Sequence, residues 1–371
     1  MIPTILFSIF LLYLLADIYL WYRIVRFCST PWKYFHWLPL AIITVLICMI
    51  LLGHVSTWMF SAVIFLFLIV IIPRCFHAIF AFLCLPRLGG VVRIALVCTM
   101  FVGITFGWKH LVVREIPIVS SRIPNSFNGY RIAHISDLHL GTYSGSPEMV
   151  ERIVEMINEA NPDLIVFTGD IVNSSPEELR PFAESLSCLH APDGILSILG
   201  NHDYCTYGPY RSHEEISDKH QEIIHMQKKM GWYLMQNENT IFHRASDSIA
   251  VIGVEYSGHG PEYGRADVPK AMTNIHEDTY KILLTHNPSH WHEAILEHTN
   301  IDLTLSGHTH AMHLKIFGWS PSALLFSHWG GLYKQGEQYL YVNTGTGSNI
   351  PFRLGAWPEI SFITLSNVDA N

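Results

Sequence analysis

Apolar and polar positions divide this chain near residue 110. Before that point the apolar runs are long and almost unbroken. After it they shorten and alternate with amphipathic stretches. The first run, "IPTILFSIFLLYLLADIYLWY" at 2–22, has the roughly 20 apolar residues that cross a bilayer as a helix. Further runs at 38–53, 57–83 and 90–108 predict an all-α transmembrane region of about four helices within 1–110. Trp21, Tyr22, Trp32, Tyr34, Trp37 and Trp108 sit where these spans end, as interfacial aromatics do. A cleaved leader is a poor reading, because no basic start or small-residue cleavage site is present and three more runs follow. Asp17 lies near the end of the first run, where its carboxylate can reach the interface.

Residues 111–127 read as a connector, with Pro117 and Pro124. From 128 to 371 strand-like and helix-like patterns alternate. Strands are predicted at 130–137, 163–170, 194–203, 248–255, 280–286, 301–308, 338–345 and 359–365, and helices at 146–162, 175–189 and 213–230. In 146–162, Met149, Val150, Ile153, Val154 and Ile157 recur at helical spacing. Strands alternating with helices, then more strands late, predict α/β layers around stacked sheets. Strand after strand stops at Asp, Asn or His, and ligands bind outside the carboxyl ends of strands in such sheets.

Charge sharpens the division. One of the 31 acids and seven of the 23 bases fall within 1–110, which leaves 30 acids and 16 bases for 111–371, a net of −14. An acidic domain argues against nucleic acid as a partner. Arg23, Arg26 and Lys33 follow span one. Arg74, Arg87 and Arg93 fall around the junction of spans three and four. The link between spans two and three has no Lys or Arg. The positive-inside rule then predicts a multi-pass protein of the inner or plasma membrane, with the acidic domain extracytoplasmic. Only Cys188 and Cys205 lie in the acidic part, without CxxC spacing, so no thiolate metal site is encoded.

The polar strand ends supply the chemistry. In order they are Asp137 and His139 of "DLH", Asp170 of "GD", Asn201, His202 and Asp203 of "GNHD", His286, and His308 and His310 of "GHTH". On extended backbone the i, i+2 pairs Asp137/His139 and His308/His310 would each face one way. Carboxylate, amide and imidazole donors without thiolate suit two divalent cations, Mn first, with Fe or Zn as alternatives, better than Ca. Such a pair, about 3.5–4 Å apart, clamps the attacking and leaving oxygens of phosphoryl transfer. A water bridging the two ions loses a proton easily, and the hydroxide attacks phosphorus in line. His202 need not be a ligand: as imidazolium it can stabilise phosphoryl oxygens or protonate the leaving group. Glycines 169, 200 and 307 are expected to give the backbone its sharp turns.

With these motifs the chain resembles the calcineurin-like metallophosphoesterases over roughly 128–366. It is most similar to the membrane-tethered bacterial-type branch, through "LLTHNP", "GLYKQGEQYLYVNTGTG" and "PEISFITL". The resemblance implies a four-layer α/β/β/α sandwich. It assigns one metal to Asp137, His139, Asp170 and His310, and the other to Asp170, Asn201, His286 and His308, with Asp170 bridging. It makes His202 the catalytic histidine, with Asp203 orienting it. Many relatives carry Gly-Gly-Gln after the last histidine motif. Here Ala311, Met312 and His313 stand instead, which affects substrate contacts. The apolar loop 316–333 either meets lipid or folds back over the sheet.

The expected function is a dinuclear metal-dependent phosphohydrolase, a phosphodiesterase or pyrophosphohydrolase whose substrate is lipid-linked at the membrane surface. Its expected partners are that phosphoester and membrane lipids, with no protein partner. The alternatives are a membrane-anchored metal sensor without turnover, or a nucleotide or protein phosphatase of the same fold.

Overall fold

The computed structural model describes residues 2–51, 57–210, 212–258 and 265–368. The chain splits into two compact units, Met1–Thr105 and Phe106–Asn371.

The first unit is helical: α1 Ile2–Arg23, α2 Thr30–Leu51, α3 Thr57–Leu66, α4 Ile72–Phe82 and α5 Pro86–Thr105. A π-helical turn, Phe67–Ile71, joins α3 to α4 and accommodates the missing amide of Pro73. Among the described residues three segments are long and apolar enough to cross a membrane: Thr30–Met49, Ala62–Phe82 and Pro86–Lys109. Helix α1 covers the predicted first span. The second span starts earlier than its apolar run, because α2 continues through Pro39. The predicted link at 54–56 lies outside the described residues.

Three polar residues differ from expectation. Arg74 and Arg93 lie inside α4 and α5 rather than between spans, and Asp17 does not reach an interface. Asp17 is fully buried, with both carboxylate oxygens 2.7 and 2.8 Å from Arg74 Nη1. The same nitrogen donates to Tyr13 Oη and to His36 O. Ionised groups inside a helical bundle persist by finding each other, since either alone would be a costly buried charge.

The second unit holds two six-stranded sheets. Its strands are β1 Val112–Val119, β2 Arg131–Ile135, β3 Leu164–Phe167, β4 Ile195–Ser197, β5 Tyr233–Leu234, β6 Glu238–Arg244, β7 Asp247–Gly253, β8 Tyr280–Leu284, β9 Leu303–Ser306, β10 Gly331–Gln335, β11 Gln338–Val342 and β12 Glu359–Ser366. One sheet runs β1-β12-β2-β3-β4-β5 and the other β10-β11-β9-β8-β7-β6. Strands β2 to β5 are parallel, as are β7, β8, β9 and β11.

The inner faces of the two sheets share one core, with Ile132, Val166 and Ile198 from one side and Val251, Ile282 and Leu305 from the other. Helices α6 Glu148–Glu159, α7 Ala183–Ser187 and α8 His213–Lys229 flank the first sheet, and α9 Val268–Ala271 the second. Helix α6 buries Met149, Val150, Ile153, Val154 and Ile157 against the first sheet, the face its spacing predicts. Trp291 and Ile295 pack on the outside of the second. This is the α/β/β/α sandwich.

Two elements correct the sequence reading. The stretch 111–127, read as a connector, supplies strand β1, paired in parallel with β12 from Val112↔Glu359 to Val119↔Ser366. Its largely exposed pattern, interrupted by Arg114, Glu115 and Pro117, disguises it, and these are tolerated because β1 is an edge. The helix expected over 175–189 breaks into two 3-10 turns and the short α7, since Pro181 offers no amide to a continuous helix.

Candidate functional site

The parallel strands β2, β3 and β4 end on the same edge of their sheet, and β8 and β9 on the corresponding edge of the other. All nine predicted site residues follow these five strand ends. Among the described residues, three groups have ligand atoms within 4.8 Å of one another: Asp137, His139 and His310; His139, Asp170 and His202; and Asp170, His286 and His308. His310 Nε2 is 3.0 Å from His139 Nε2 and 3.3 Å from Asp137 Oδ1. Asp170 Oδ2 is 3.1 Å from His286 Nε2 and 3.6 Å from His139 Nε2. His286 Nε2 is in turn 3.2 Å from His308 Nδ1. Asp170 and His139 therefore link two neighbouring groups.

The backbone that delivers these side chains is not extended. Asp137, His139, Asp170, His308 and His310 all have positive φ, between 47° and 75°. Five of seven predicted ligands thus occupy a conformation that L-residues rarely adopt, and such outliers persist only where the surroundings impose them. The tight turns also separate His308 from His310. One joins Asp170 and His286, the other Asp137 and His139, so the common face expected of i, i+2 spacing does not hold. The glycines act in two ways. Gly169 has φ +96°, but Gly200 and Gly307 serve by lacking a side chain: a Cβ there would strike the carboxylates of Asp170 and Asp137.

Buried partners fix each donor. Asp137 accepts the His308 backbone N–H at 3.0 Å, tying the end of β2 to that of β9. His286 Nδ1–H donates to Thr168 O at 2.7 Å, which leaves Nε2 for the site. His202 is part-buried. Its Nδ1 meets Asn173 O at 2.5 Å, its ring stacks on Tyr207 at 4.5 Å, and its backbone N–H reaches Asp170 Oδ1 at 2.8 Å. Asn201 is buried, donates to Tyr207 Oη, and keeps Oδ1 without a partner.

Asp203 has a different place from the one expected. Its carboxylate is fully buried and accepts N–H groups from Gly200, Asp170 and Ile171 at 2.8–2.9 Å. It buckles the β3 and β4 loops together, while Asn173 and Tyr207 orient His202. Burial pushes the Asp203 carboxyl up.

Sequence reasoning missed Arg353. Fully buried, it donates to the carbonyls of Thr344, Gly347 and Ala356, and its Nη2 lies 2.8 Å from His310 Nδ1. A guanidinium only donates, so this Nδ1 accepts and the neutral ring carries its proton on Nε2. A cation there must displace that proton. A lone arginine beyond the last motif carries no sequence signal for this role. His313 stacks on His310 at 4.9 Å and is buried. His220 and His290 are buried too, against Asp203 O and Thr285 Oγ1.

Electrostatics suit cations. Burial lowers His139 and His308 to about 3 and takes His310 well down, so these rings stay neutral. For His286, burial acts downward but the Asp170 carboxylate outweighs it, raising this imidazole to about 9. For Asp170, burial acts upward, yet His286 and His202 outweigh it and hold the carboxyl well below its usual range. The centre therefore draws positive charge toward Asp170. With the unpartnered Asn201 Oδ1 and three convergent ligand groups, the donor set fits divalent cations.

Two stacked sheets whose parallel strand ends gather Asp, Asn and His at one spot define a metallophosphoesterase-type domain. The calcineurin-like phosphoesterase family pattern matches residues 130–312. A transmembrane protein with metallophosphoesterase domain from Danio rerio is 31% identical, over 95% of this chain and 87% of that protein. An uncharacterised metallophosphoesterase from Bacillus subtilis (strain 168) is 32% identical, over 70% of this chain and 87% of its own. This chain belongs to the calcineurin-like metallophosphoesterases.

Proposed function

We propose that this chain is a dinuclear metal-dependent phosphohydrolase acting on a lipid-linked phosphodiester or pyrophosphate at a membrane surface. The observation that carries the reading is the linkage of the ligand groups through Asp170 and His139, whose atoms lie within 4.8 Å of their partners. Asp137, His139, Asp170 and His310 would hold one cation, and Asp170, Asn201, His286 and His308 the other, with Mn the first choice and Fe or Zn the alternatives. When bound, the cations supply positive charge to the phosphoryl oxygens and ease deprotonation of the attacking water. The chain's own part is orientation and proton handling. His202, held through Nδ1, offers Nε2 to a phosphoryl or leaving-group oxygen.

The lipid part of the reading rests on loop 316–333. Phe317, Leu324 and Leu325 are 105, 77 and 72% exposed, and Phe326 meets the His308 ring at 5.6 Å. An exposed apolar patch beside a polar site is the mark of an interaction surface.

The test uses purified full-length protein with and without Mn, on bis(p-nitrophenyl) phosphate and on a lipid-extract panel. Metal-dependent turnover that vanishes in His202→Ala is expected; none under any metal would favour the sensor reading. Phe317→Ser, Leu324→Ser and Leu325→Ser together should cut lipid turnover about tenfold and spare the soluble diester. Equal loss on both substrates would remove the lipid part.

We also propose that the catalytic domain is extracytoplasmic. Arg23, Arg26, Lys33 and Arg87 flank the α1–α2 and α4–α5 turns, and short basic loops stay in the cytoplasm. An extracytoplasmic-only reporter fused after residue 371 should be active; activity only of a cytoplasmic reporter there would reverse the topology.

A further inference from the structure

The helical unit carries a charge that its own residues leave unmatched. Asp17 is taken by Arg74. Arg93, seven residues into α5, is half-buried, lies within electrostatic range of Arg74 and Asp17, and among the described residues has no hydrogen-bond or ion-pair partner. It lines a cavity of about 370 Å³ with His77, Gly90, Ile94, Val97 and Cys98. His77 Nε2–H donates to Pro86 O, and its Nδ1 is buried without a partner.

Two neighbouring glycines shape this space. Gly89 lets α4 and α5 touch, since a Cβ there would press on His77 and Phe80. At Gly90 nothing lies within 4 Å of a Cβ, so the wall stays open. The lining also changes character along α5. Gly90 and Arg93 come first, about 6 and 10 Å from its start at 1.5 Å per residue, and Ile94, Val97 and Cys98 follow toward the middle of the helix. His77, about 8 Å from the end of α4, shares the level of Arg93. An unpartnered guanidinium nearer the start of α5, with an apolar strip deeper, matches the polarity of an amphiphile with an anionic head.

We propose that the α4–α5 hairpin is a binding site for an anionic glycerophospholipid, its phosphate held by Arg93 and an acyl chain lying along Ile94, Val97 and Cys98. A surplus cation at this depth is costly alone and is relieved by an anion, and basic pockets between transmembrane helices take lipid phosphates.

The experiment is thermal unfolding of the full-length protein in neutral detergent, with phosphatidylglycerol, phosphatidylcholine or inorganic phosphate added. Phosphatidylglycerol should raise the midpoint by several degrees, and the other two should not. Arg93→Gln should lose that shift and Arg93→Lys keep part of it. An equal shift in Arg93→Gln, an equal shift with phosphatidylcholine, or a full shift with inorganic phosphate alone would each overturn the site. A second measurement needs no variant. Cys98 faces outward from the helices, so phosphatidylglycerol, and not phosphatidylcholine, should slow its alkylation by an apolar, detergent-soluble maleimide several-fold, read by peptide mass against exposed Cys188. Unchanged protection at Cys98 would count against the proposal.

Discussion

Asp170→Asn is expected to silence metal-dependent hydrolysis by a factor on the order of 10³, about 4 kcal/mol of transition-state stabilisation, and to lower metal content from two ions to one or fewer. The carboxylate is 2% exposed and has work on both sides. Oδ2 faces His286 and His139 at 3.1 and 3.6 Å, and Oδ1 accepts the His202 N–H at 2.8 Å. Asn keeps the shape and can still accept from His202, so the loops should hold. What disappears is the negative charge that raises the His286 imidazole and would attract cations. Metal stoichiometry by plasma mass spectrometry, alongside bis(p-nitrophenyl) phosphate turnover, checks both effects. Two retained ions with near-normal rate would show that Asp170 does not join the metals.

Asp203→Ala should act on stability. Three buried N–H groups lose their acceptor at once, at about 1–3 kcal/mol each when unsatisfied. Because they share one carboxylate their losses do not add fully, and about 3–5 kcal/mol in total is expected. In a unit of this size that corresponds to a fall of roughly 6–20 °C in unfolding temperature. Asp203→Asn should fall between, retaining one acceptor oxygen but turning a donor toward the remaining amides. Thermal unfolding of the full-length protein under chelation reads this without contribution from bound metal. If Asp203 instead oriented His202, kcat would drop and the unfolding temperature would not.

These two carboxylates show where sequence reasoning stops. Both close an apolar strand with an acid near a glycine, and both were marked as site residues on that ground. Their difference lies in direction. Asp170 turns Oδ2 toward imidazoles from the β8 and β2 loops, whereas both oxygens of Asp203 turn back onto backbone amides. Local sequence does not encode that choice, because left-handed turns at the strand ends set it and packing imposes those turns. Strand β1 was hidden for a related reason: its partner β12 lies 247 residues away, and an edge strand needs no alternating pattern of its own. Asp17 was misread because its partner Arg74 is 57 positions distant.

The order of elements, the split between an apolar helical part and an acidic α/β part, and the donor types at five strand ends follow from the sequence alone. Periodicity and composition are local properties, and each residue reports them by itself. Which donors share a neighbourhood, which glycine gives room rather than a turn, and which buried charges meet were decided only by the tertiary structure. Those facts depend on the directions of side chains brought together across long separations, and only the packed sheets and helices fix such directions.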